Sequence, residues 1–222
     1  MHPIEVEFTG VADGSLLADV MAAVGDDSIG FPEIADIVAR DSVLATEVMR
    51  MANSRYYGLA GVVQSLQFAC AVVGALGLRS ITLSELSRRS GRYPSELNAM
   101  SQAIAAKAGV LAKAQGVDPQ VAIAAGLMVN LGRVLIAQQD PIGFAELCHC
   151  DPNEREQIEL ERYGETASGV TLRALQHWSF PKDFIASVGQ QGDDPLGGIL
   201  KLVVQEVQEQ MDDEMSCAEG VS

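Results

Sequence analysis

FPEIADIVARDSVLATEVMRMA (Phe31 to Ala52) places Ile34, Ile37 and Val38, then Val43, Leu44, Val48, Met49 and Met51, at the three- and four-residue spacing of buried helix faces. The same period appears upstream at Leu16, Leu17, Val20 and Val24. Downstream, four of the eight prolines follow an aspartate, at Asp118-Pro119, Asp140-Pro141, Asp151-Pro152 and Asp194-Pro195. An aspartate oxygen caps the first free amides of a helix and proline suits its first turn, so each pair predicts a helix start. Glu154, three residues past Asp151, adds the second half of a capping box. Only IEVEF (Ile4 to Phe8) alternates like a strand, and one such run without partners does not make a sheet. These patterns predict an all-α protein of ten or more short helices. A seam is expected at SGRYPSE (Ser90 to Glu96), where glycine and proline break the period. The acidic stretch 211–222, MDDEMSCAEGVS, is expected to be a solvated, disordered tail.

With 222 residues and 48% hydrophobic content, the chain has enough apolar surface for a substantial core, in one large domain or two small lobes. Its formal charge of -15 repels phosphate backbones and anionic lipid head groups, which argues against DNA and membrane surfaces as partners. One window runs the other way: Arg79, Arg88, Arg89, Arg92, Lys107 and Lys113 face only Glu85 and Glu96. No cationic flank with an apolar stretch and cleavage site opens the sequence, so a cytoplasmic location is expected. The most membrane-like run, from Val121, is interrupted by Asn130 and Arg133 short of the roughly 20 apolar residues that span a bilayer. Cys70, Cys148, Cys150 and Cys217 have no disulfide framework spacing, and reduced thiols are expected.

Four segments of the chain carry a resemblance. The stretch Phe31 to Leu83, with MANSRYYG (Met51 to Gly58) and VVGALGLRS (Val72 to Ser80), closely resembles the HDOD family of bacterial signalling proteins. AAGLMVNLGRVLIA, ERYGETASG and LQHWSFP continue the likeness to about Gln210. The resemblance implies a single domain over 14–210, with an N-terminal helical lobe (14–91) packed on a degenerate HD-like helical lobe (92–210). It also implies descent from metal-dependent HD phosphohydrolases, a regulatory or scaffolding role in signal transduction, and in some members a place in cyclic di-GMP networks.

On that resemblance the histidine and aspartate positions of a catalytic relative fall on or near Met100, Val129, Asn130, Ala167, Gln190 and Gln191. Methionine, valine and alanine hold no hard divalent ion, and neutral amide oxygens bring no charge to offset its dehydration. The residues alone lead to the same place. His2, His149 and His177 are the only histidines, and no helix pairs two of them at metal-binding spacing. Without a metal to acidify water, HD-type hydrolysis loses its nucleophile, so no enzyme activity and no cofactor are expected. CHC at 148–150 offers donors, but no second cluster completes a closed zinc site.

Arg55, Tyr56 and Tyr57 read either as a helix exit with packed tyrosines or as a recognition edge, since aromatics and arginine dominate binding hot spots. Arg88, Arg89 and Arg92 read either as a solvated helix end or as a phosphate-binding patch. His177 beside Trp178 reads as helix-end packing, having no reacting group or orienting partner in view. A non-catalytic adaptor binding a signalling protein is the leading expectation. A small-molecule or nucleotide sensor, using a remnant pocket or the basic window, is the alternative. A residual phosphohydrolase on relocated ligands ranks third.

Overall fold

Asp41 is 1% exposed, and its Oδ1 accepts the amides of Val43 at 2.8 Å and Leu44 at 2.9 Å. That cap starts α3 (Ser42–Ala52) and separates it from α2 (Phe31–Val38). The computed structural model describes residues 3–5, 14–87, 95–190 and 194–219. Among these the chain is all-α, with no strand and one 3-10 turn, Arg55–Tyr57. Arg88, Arg89, Arg92 and Gln191 lie outside the described residues.

The remaining helices are α1 (Gly14–Val24), α4 (Leu66–Ser87), α5 (Ser95–Ala114), α6 (Pro119–Met128), α7 (Leu131–Gln139) and α8 (Pro141–His149). After them come α9 (Pro152–Tyr163), α10 (Ala167–His177), α11 (Lys182–Val188) and α12 (Pro195–Glu219). Each of the four Asp-Pro pairs stands at a helix start. Asp118 accepts from the Gln120 amide, Asp140 from Gly143 and Asp194 from Gly197, while the Asp151 carbonyl receives the amides of Glu154 and Arg155.

Helices α1 to α3 pack on α4, which bends at Gly74, where φ is 68°. That left-handed angle suits glycine and few other residues. The Tyr57 hydroxyl donates to the Val73 carbonyl at 3.4 Å beside this break. Farther along the chain α5 packs along α6 and α12, and α10 along α7; α3 and α4 also reach α6. A side chain at Gly126 would press its Cβ to 2.6 Å from the Ala105 Cα, so the glycine is what lets α6 approach α5. Pro119–Gln139 is long and apolar enough to cross a membrane, but most of it is buried in the core and Val129 and Asn130 divide it into two helices.

α12 continues past Gln210 as far as Glu219, into the acidic stretch. No glycine or proline interrupts this stretch before Gly220, and its Met, Glu and Ala residues are good helix formers.

Candidate functional site

Met100 on α5, Asn130 before α7 and Ala167 at the start of α10 come from positions far apart in the chain, yet they line one cavity of about 170 Å³. Val129 and Gln190 line it too, so five of the six positions singled out in the sequence are brought together. Arg133, Ser168, Thr171, Val188, Gly189, Val204 and Gln208 complete the wall.

The arrangement depends on a close approach of α7 and α10. At Gly132 any Cβ would collide with the Ala167 carbonyl, and the Gly132 amide instead donates to Thr171 Oγ1 at 2.8 Å. Thr171 Oγ1 in turn donates to the Ala167 carbonyl at 3.1 Å. Glu159, 4% exposed, accepts the Ala167 amide at 2.7 Å and holds the start of α10 from the other side. Gln190 follows α11 with a φ of 55°, an uncommon conformation for a residue with a side chain.

Asn130 is 6% exposed, and its Nδ2 donates to Ser101 Oγ at 3.2 Å. This satisfies part of a buried amide whose burial is costly without a partner. Its carbonyl receives the Val134 amide, so the residue also begins α7.

The lining offers a thioether, hydroxyls, neutral amides, aliphatic carbons and the guanidinium of Arg133. It has no carboxylate, thiolate or imidazole, so it does not fit a divalent metal ion, whose dehydration calls for anionic or imidazole donors. Among the described residues no group of three or more His, Cys, Asp or Glu side chains is placed to hold a metal. The volume also falls below the roughly 300–1,000 Å³ usual for sites that take drug-sized ligands.

The other candidates lie elsewhere. Tyr56 is 85% exposed on the 3-10 turn, edge-to-face with Tyr57 at a centroid distance of 4.9 Å. Tyr57 is half-buried and anchored to α4, so the pair divides between a packed ring and a presented one. Arg55 is exposed beside them. Asn53, fully buried, donates to the carbonyls of Met49 and Val63 and accepts the Val63 amide, which fixes the loop that follows the turn. Of the basic window, Arg79 donates to the Val24 carbonyl and Lys107 reaches Glu206 and Gln210 on α12, so both serve contacts within the chain.

Around CHC, His149 Nδ1 lies 2.7 Å from the Ala145 carbonyl and Cys150 Sγ 3.1 Å from that of Leu147. Cys148 is exposed as a residue, but desolvation around its sulfur raises the thiol above its ordinary value, which disfavours a thiolate ligand. His177 is exposed at the end of α10, capped by Trp178.

Sequence reasoning missed Thr171 and Gln208 as partners in the cavity wall. Arg133 was visible as a polar break in an apolar run; Thr171 and Gln208 sit in ordinary helical patterns that carry no such signal.

Comparison with known proteins follows the same outline. The family model of the HDOD domain matches residues 14–193. A fragment (20–298) of the MmoQ response regulator from Methylococcus capsulatus str. Bath superposes with a TM-score of 0.78 at 22% identity, covering 96% of this chain and 91% of that one. A virulence factor from Campylobacter jejuni subsp. jejuni superposes with a TM-score of 0.68 at 16% identity, covering 86% and 74%. At these identities the likeness is one of fold. Among curated proteins, none matches the chain.

Proposed function

Since the chain belongs to the HDOD domain family, we propose that it is a non-catalytic regulator of bacterial signal transduction, working in the cytoplasm as a scaffold that binds another signalling protein. The observation that carries this reading is the cavity lined by Met100, Val129, Asn130, Ala167 and Gln190, whose donor set is neutral or cationic throughout. Hydrolysis of the HD type needs a bound ion to acidify water, and this lining offers nothing to hold one. What remains is surface. Tyr56 and Arg55, displayed on a turn locked by Asn53 and Tyr57, have the composition and rigidity of an interface anchor.

A link to cyclic di-GMP circuits belongs to this proposal as a matter of pathway, through the partner. A cyclic dinucleotide is too large for a cavity of about 170 Å³.

The test has two arms. Elemental analysis of the purified protein with a phosphodiesterase assay is expected to give neither stoichiometric metal nor turnover; Mn, Fe or Zn at one or more per chain with turnover overturns the non-catalytic reading. Affinity capture from the native cell is expected to return one signalling protein, lost or weakened with Tyr56→Ala. Recovery of that protein undiminished by changes at Arg55 and Tyr56 removes the turn from the interface.

A further inference from the structure

Arg133 stands in the first turn of α7, half-buried, and it is the only charged side chain that the described residues place in the wall of the cavity around Asn130. A cation is out of place there as far as the helix is concerned, because the first turn already carries positive partial charge. A second helix start meets the same space: α10 begins at Ala167, and both Ala167 and Ser168 line the wall. Glu159 offsets part of this from behind by accepting the Ala167 amide at 2.7 Å, and Glu165 is turned to Arg173, whose Nε it accepts at 3.0 and 3.3 Å. Exposed Glu96, one turn before Met100 on α5, is not part of the wall. Positive potential from two helix starts and one guanidinium thus converges on one small space, in a chain whose formal charge is -15. An anion placed between them turns mutual repulsion into attraction, the more so away from bulk water.

The rest of the wall suits the same occupant. Ser168 is exposed at the start of α10, Gln190 follows α11 and Gln208 comes from α12, so a hydroxyl and two carboxamides can donate alongside the guanidinium. The five N–H donors of Arg133 exceed what one neighbour can take up, so the interaction it makes within the chain leaves donors for the cavity. Val188 and Val204 supply apolar carbon between these groups. The volume of about 170 Å³ equals that of about five waters at roughly 30 Å³ each, which is room for one tetrahedral oxyanion and not for a nucleotide.

We propose that this cavity binds a small inorganic oxyanion of phosphate or sulfate type, with Arg133 as its charged contact and Ser168, Gln190 and Gln208 as neutral donors. The site goes beyond the scaffold reading and does not depend on it. Since the wall is built from α5, α7, α10 and α12 and from the end of α11, the bound ion ties these elements together and stabilises the fold.

The probe is inorganic phosphate, titrated by calorimetry into the full chain at constant ionic strength in a buffer whose only other anion is chloride. Saturable binding of one phosphate per chain is expected, with a Kd of about 1 mM or below and a melting temperature that rises with phosphate and not with chloride. Sulfate is expected to compete. Arg133→Gln should weaken binding about tenfold or more, because a charge-assisted fork is lost. Lys113→Gln, which makes the same change of charge at the far end of α5, should leave it within about twofold.

Should Arg133→Gln fail to fold, Ser168→Asp decides. Ser168 is exposed in the first turn of α10, where a carboxylate suits the helix, so the variant is expected to fold while its new charge repels the ion and abolishes binding. No saturable heat with the folded chain at about 20 mM phosphate, about twentyfold above the expected Kd, overturns the proposal. So does stabilisation by chloride equal to that by phosphate, or binding indifferent to Ser168→Asp and to a folded Arg133→Gln.

Discussion

Asn130 donates to Ser101 across the wall of the cavity, joining the start of α7 to α5 through two side chains that are both almost fully buried. An asparagine that interrupts the apolar run AGLMVNLGRVL is thereby given a partner inside the fold. Removing that partner alone should hurt: Ser101→Ala strands the amide and is expected to cost about 1–3 kcal/mol. Exchanging both groups for apolar ones, as Ser101→Ala with Asn130→Leu, should recover most of the loss, because no polar group is then left unsatisfied. Urea denaturation of the two single variants and the double variant measures the coupling. Strictly additive losses would show that the bond is incidental.

Two glycines predict opposite signs for the same substitution. At Gly132 a methyl group would run into the Ala167 carbonyl, backbone that cannot step aside without separating α7 from α10. Gly132→Ala is expected to destabilise by about 3 kcal/mol, the upper end for overpacking, and to distort the cavity. At Gly198, exposed within α12, a Cβ meets nothing within 4 Å. Gly198→Ala should stabilise by about 0.4–1 kcal/mol through the unfolded chain's lost freedom. Paired thermal melts suffice, and a neutral Gly132→Ala would mean that α7 and α10 are not held this close.

How far these features were legible in the sequence depends on whether they are local. The helix starts at Asp118, Asp140 and Asp194 were readable because a cap and the amide it serves lie within three residues. Asp41 follows the same rule without a proline to advertise it. Met100, Val129, Asn130, Ala167 and Gln190 were grouped by family resemblance, and the structure gathers them around one cavity. The contact of Glu5 with Gln139 had no such signal: the alternation of IEVEF points to a strand, but its partner is a side-chain amide 134 positions away. The end of α12 had a weaker signal, because acidic composition points towards a solvated tail while a run free of glycine and proline sustains a helix to Glu219.

Cys70 gives the fold an alkaline limit. Burial pushes its thiol from the ordinary 9.0 to about 12, so the folded chain holds that proton more tightly than the unfolded one does. The stability linked to this group is intact below pH 9 and falls as pH rises from about 9 towards 12. Cys70→Ala should flatten the decline between pH 9 and 10.5, leaving the part that Tyr163 contributes at higher pH, where burial and the Asp140 hydrogen bond raise its hydroxyl from 10.0 to about 12. Urea midpoints against pH for the two proteins check this, and identical slopes would refute it. At pH 8 a thiol reagent should label Cys148, which is exposed, well before Cys70.

Restoring the His-Asp pair at the cavity tests the non-catalytic reading most directly. The double variant Val129→His, Asn130→Asp puts an imidazole and a carboxylate where the resemblance locates a metal pair. Two donors do not make a site, however, because Met100, Ala167 and Gln190 still line the same wall and Arg133 adds a positive charge that repels a cation. The new carboxylate can only accept, so the bond to Ser101 must reverse with the hydroxyl donating, and burying its charge should lower stability by about 1–3 kcal/mol. Elemental analysis is expected to find no stoichiometric Mn, Fe or Zn, and phosphodiesterase activity should stay at background. Metal-dependent turnover in this variant would mean that the remaining shell is supplied by side chains other than those lining the cavity, and that the chain retains the means of hydrolysis.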